Sequence, residues 1–155
     1  MTRKLLGLLF GVLLGFGLLA AVPAVRADDA NQATQFTFNQ PVEIPGNVVL
    51  PAGTYWFVVG DNIDTPNLVR IFNADRTQLY ATFETIPTTR PATSDDSELT
   101  FAKQSRRQPV ALTSWFYPDR LTGHEFLYSP REESRFSESP QIKVMAHPVQ
   151  QVYAG

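Results

Sequence analysis

The chain has 155 residues, thirteen basic and fifteen acidic, a net charge of −2 and no cysteine. That length suits one domain. The missing thiol excludes a disulfide framework, a cysteine nucleophile, a thiolate zinc site and a lipid anchor on cysteine. The first element in chain order reads as a signal peptide helix over residues 1–27. Arg3 and Lys4 form a positive start, residues 5–22 are apolar or glycine, and Val25-Arg26-Ala27 offers small residues at a cleavage site. Cleavage is expected after Ala27. An uncleaved membrane anchor is the alternative, because the apolar run is near a bilayer span and Gly7, Gly11 and Gly15 have helix-packing spacing. Cleavage would remove three basic residues and no acidic one, leaving ten against fifteen and a charge of −5 with His neutral. Such a surface has no general attraction for nucleic acid or anionic lipid. The expected location is exported, periplasmic or extracellular, with membrane contact only through an uncleaved signal.

A polar segment, 28–35, follows. Residues 35–39 alternate, with Phe36 and Phe38 on one face; residues 47–50 are a short apolar run; residues 54–59 are apolar on both faces, as in a central strand. Residues 68–72 and 78–86 flank a polar loop and read as a hairpin. Residues 98–103, 110–117 and 125–128 add three strands. No sustained helical period follows residue 27, and twelve prolines discourage helices. The fold expected is an all-β antiparallel β-sandwich of about seven to eight strands over 36–130. Residues 131–155 read as a largely flexible tail, with residues 142–145 able to add one edge strand.

Leu50-Pro51-Ala52-Gly53-Thr54 looks like a sortase tag, but Gly53 precedes Thr54, so the scissile Thr-Gly bond is absent. The reading instead is a hairpin turn, with Pro51 presetting φ and Gly53 supplying a positive φ. Val42-Glu43-Ile44-Pro45-Gly46, Leu50-Pro51-Ala52-Gly53-Thr54-Tyr55, Trp115-Phe116-Tyr117-Pro118 and Gly123-His124-Glu125-Phe126-Leu127-Tyr128 together resemble small exported bacterial proteins of acidobacterial type. The resemblance spans about residues 36–130. It implies a compact exported β-domain with no assigned activity, and it carries no catalytic residue across.

Few constellations of chemistry stand out. His124 and His147 lack metal-ligand spacing, and no metal or cofactor is expected. Asp61, Asp64, Asp95 and Asp96 lie in oxygen-rich loops that calcium could use, although Asp and Asn also form ordinary turns. A triad of Ser114 or Ser129 with His124 and Asp119 is formally possible, without a nucleophile-elbow motif. The aromatic clusters are the stronger signal. Tyr55-Trp56-Phe57 and Trp115-Phe116-Tyr117 place neighbours on opposite faces of their strands. Some should therefore reach an outer face, where aromatic rings stack on sugars or dock a partner chain. Trp115, Tyr117, Tyr55 and Trp56 are the candidate ligand-binding residues. The expected function is a non-catalytic exported module, not an enzyme, binding a glycan or an envelope protein. The alternatives are a purely structural envelope or secreted protein and a small carboxylate-based hydrolase.

Overall fold

The computed structural model describes residues 32–60 and 66–146, with the backbone of two short strands at Ala21–Val22 (β1) and Ala27–Asp28 (β2). The expected signal peptide lies mostly outside the described residues. Ten longer strands follow: β3 (Ala33–Phe38), β4 (Val42–Ile44), β5 (Val48–Leu50), β6 (Gly53–Val59), β7 (Leu68–Asn73), β8 (Leu79–Thr89), β9 (Ser97–Ala102), β10 (Val110–Phe116), β11 (Thr122–Phe126) and β12 (Gln141–Ala146). One helical turn, α1 (Pro130–Glu133), precedes β12. The fold is all-β.

The first sheet runs β3-β6-β7-β8, with β1 and β2 along the outer edge of β3. The second runs β8-β11-β10-β9-β12, with β4 and β5 beside the start of β10. Strand β8 belongs to both: its residues 79–84 pair with β7 and its residues 85–89 with β11. Pairing is antiparallel except between β4 and β10, which run parallel. β4 gets there because the β4–β5 hairpin lies in the second sheet while β6 returns to β3 in the first.

The two inner faces share one core. Phe36, Phe57 and Ile71 of the first sheet meet Leu99, Leu112 and Trp115 of the second. Period-two alternation sets this: Tyr55, Phe57 and Val59 point inward while Trp56 and Val58 point outward. On β10 a bulge at Thr113 shifts the register, so Leu112 and Trp115 both reach the core.

Two expectations need correction. Residues 50–54 are not a hairpin turn, because β5 pairs with β4 and β6 with β3; Pro51 and Ala52 carry the chain from one sheet to the other. Gly53 is an extended residue of β6, opposite Phe38, and the positive φ belongs instead to Gly46 (90°) and Asn47 (58°) in the β4–β5 hairpin. A side chain at Gly53 would stand 3.5 Å from the Tyr55 hydroxyl, which folds back to donate to Pro51 O at 2.6 Å. The largely flexible tail expected over 131–155 is also corrected over residues 131–140, while the edge strand expected at 142–145 is present as β12. Ser129 caps α1, Phe136 is buried against Ala102 and Ala111, and β12 pairs with the full length of β9. Residues 147–155 lie outside the described residues.

Candidate functional site

The four aromatic candidates do not form a platform. Trp115 is fully buried, edge-on to Phe36 at 6.2 Å and Phe57 at 5.9 Å. Tyr117 and Tyr55 are buried in the same core. Burial, then the neighbouring Tyr80 phenol, raises the Tyr55 pKa. Trp56 does reach the outer face of the first sheet, yet only 6% of it is exposed. Its Nε1 donates to Ala74 O at 2.9 Å, and the Arg76 guanidinium covers its ring at 3.9 Å. The expectation of an exposed aromatic face at these residues is therefore corrected. Neighbouring aromatics do take opposite faces, but the outward ones are covered: Trp56 by Arg76, and Phe116 flanked by Arg90 at 5.3 Å.

Several charged groups hold loops in place. The buried Arg90 donates through Nε to Arg120 O at 2.8 Å and through its Nη2 to Tyr117 O at 3.3 Å. Glu43 is buried on β4, where it accepts from Arg135 at 2.6 Å and from Gln104 at 2.7 Å. Glu132 joins the last segment to the β4–β5 turn. One carboxylate oxygen accepts the N–H groups of Gly46 and Asn47, at 2.9 and 2.7 Å; the other accepts from Ser129 N and Oγ, at 2.9 and 2.7 Å. Burial opposes ionisation of Glu132, but the hydrogen bonds from Ser129, Asn47 and Gly46 outweigh it, and its pKa lies below the ordinary value. Burial, chiefly, and the Glu43 charge push the Tyr128 phenol strongly upward; its hydroxyl sits 2.7 Å from Leu112 O.

The triad is not assembled. Ser114 lies opposite Glu125 on the outer face, whereas His124 lies opposite Trp115 on the inner face. Ser129 is engaged by Glu132. Asp61, Asp64 and His147 lie outside the described residues. Asp95 is exposed on the loop before β9, and among the described residues no three His, Asp or Glu side chains gather as a metal site would require.

What the structure does bring together is a groove of about 370 Å³ on the outer face of the second sheet. Its strands contribute Thr88, Thr100, Thr113, Ser114, Glu125 and Gln141. Tyr128 and Phe136, 4.8 Å apart between ring centres, form an apolar wall, and Glu133 stands on the side of the last segment. Thr113 Oγ1 lies 3.0 Å from Gln141 Oε1 and 3.1 Å from Thr100 O, which fixes that part of the floor. Neither the Glu125 nor the Glu133 carboxylate has a hydrogen bond or ion pair among the described residues. Sequence reasoning missed this group. Its one signal was the outward Thr100 of β9 beside Thr113 and Ser114 of β10, and the bulge at Thr113 obscures the alternation there.

No family model, curated protein or solved structure matches this chain.

Proposed function

We propose that this chain is an exported, non-catalytic β-domain that binds a hydroxyl-rich ligand, a glycan strand, in the groove of the second sheet. The observation that carries the reading is the lining itself. Hydroxyls from three strands and the Gln141 carboxamide lie beside two carboxylates that no other described residue engages. Sugar hydroxyls donate to carboxylates and accept from Ser and Thr, while the C–H face of a sugar packs on an apolar wall such as Tyr128 and Phe136. The groove's size falls within the ordinary range for ligand sites. Export rests on the charged start, apolar run and cleavage site of residues 1–27.

Calorimetric titration against soluble glycans tests it. Ser114→Val and Glu125→Gln are expected to weaken binding at least tenfold while leaving the melting temperature within a degree or two, because both side chains face the groove. Glycan affinity unchanged in both variants would remove the groove from the account. A second reading has one observation in its favour: Glu125 and Glu133 line the same groove, as an acid and base pair for glycoside hydrolysis would. It requires hydrolysis that disappears in Glu125→Gln or Glu133→Gln. If neither binding nor hydrolysis is found, a purely structural or partner-docking envelope role stands.

A further inference from the structure

The lining of the groove carries charge of one sign. Glu125 of β11 and Glu133 of α1 are its charged members, and no Lys, Arg or His side chain lines it. Both acids are exposed, and no described residue engages either carboxylate. Cations on the neighbouring elements are paired with other acids. Lys143 Nζ lies 3.3 Å from Glu98, and Arg135 Nη2 lies 2.6 Å from Glu43. Glu132, one residue before Glu133, accepts from Gly46, Asn47 and Ser129. Its acidic neighbours in the fold are thus satisfied by the protein, whereas the two carboxylates on the groove leave their acceptor capacity to whatever the groove holds.

We propose that the glycan of this groove carries free, protonated amino groups, an inference that rests on the groove being the glycan site. A sugar ammonium brings one positive charge and three N–H donors. Glu125 and Glu133 accept on the same lining as the hydroxyls of Thr88 and Ser114. Hydrogen bonds between charged partners are shorter and stronger than neutral ones. The alternatives fit less well. A glycan with uronic acids or phosphates brings like charge to two carboxylates that no lining cation offsets, and like charges across a contact reject the wrong partner. A glycan whose amines are acetylated keeps its ring packing on Tyr128 and Phe136 but offers the carboxylates only neutral donors. The two acids therefore set which glycan is held, while the hydroxyls and the apolar wall hold its rings.

The test is calorimetric titration of the whole chain with two oligosaccharides of equal length. One is a glucosamine oligomer and the other its N-acetylated form, at a mildly acidic pH where the free amine is charged. The glucosamine oligomer should bind at least tenfold more tightly. The preference should shrink to within about twofold in the double variant Glu125→Gln with Glu133→Gln. It should be unchanged in Asp75→Asn with Asp95→Asn, which removes as much negative charge from exposed loops outside the groove. Equal affinity for the two oligomers in the wild type would overturn the amine preference and leave the groove as a site for neutral glycans. A preference that survives the groove variant, or that falls equally in the loop variant, would show general attraction to an acidic surface and overturn it too. Binding of neither oligomer would overturn this inference and the glycan reading together.

Discussion

At the scale of single residues, position in the sheet decides what an aromatic does. Trp115 carries a large apolar surface into the centre of the core, so Trp115→Ala should cost about 3–5 kcal/mol in chemical denaturation. Leu79, half exposed on β8, should cost less than about 1 kcal/mol when truncated. Equal losses at the two positions would contradict the packing described. Glu132 gives a residue-scale prediction in pH. Its folded pKa lies below the ordinary 4.5, so its stabilisation is complete above that value and is lost as pH falls through the folded pKa. Melting curves of the wild type and Glu132→Gln should therefore differ most at neutral pH and converge in acid below pH 4.5. A difference that stays constant down through that window would show that the carboxylate charge does not hold the turn.

At the scale of elements, the strands were legible because each is short, alternating or apolar, and bounded by Pro, Gly, Asn or Asp. The β7–β8 hairpin is the clearest case: Asn73, Asp75 and Thr77 close the loop by hydrogen bonds among themselves, which is local chemistry that a sequence displays. β4 and α1 were not legible. β4 has three residues, and it is held by a parallel partner more than sixty positions later. α1 is one turn whose capping residue, Ser129, sits in a polar stretch, and its Glu132 bonds to N–H groups 85 and 86 positions earlier. Phe136 is a single aromatic among polar neighbours, and nothing in a linear pattern says that it covers Ala102 and Ala111. The last segment is thus part of the domain. Ending the chain at Ser129 would expose the β9 edge and leave the Gly46 and Asn47 N–H groups without their acceptor. The truncated chain should lose its single cooperative transition in calorimetry. A sharp transition at the wild-type temperature would show that 130–146 is dispensable.

At the scale of the whole molecule, one strand shared between two sheets makes a closed core and leaves the outer faces to the loops and the last segment. The candidate aromatics were read correctly as alternating between faces, but the cover over the outward rings comes from Arg76 and Arg90, neither of them near in sequence to the ring it covers. The groove follows from the same packing: the last segment, lying over the second sheet, leaves beside it a strip of hydroxyls and two carboxylates that no described residue engages. The most direct measurement is an amide NMR titration of the chain with soluble oligosaccharides. The account predicts saturable shifts confined to Thr88, Thr100, Ser114, Glu125 and Gln141 and to Glu133 across from them. Shifts that instead map to the outer face of the first sheet around Trp56, with the groove unmoved, would contradict it.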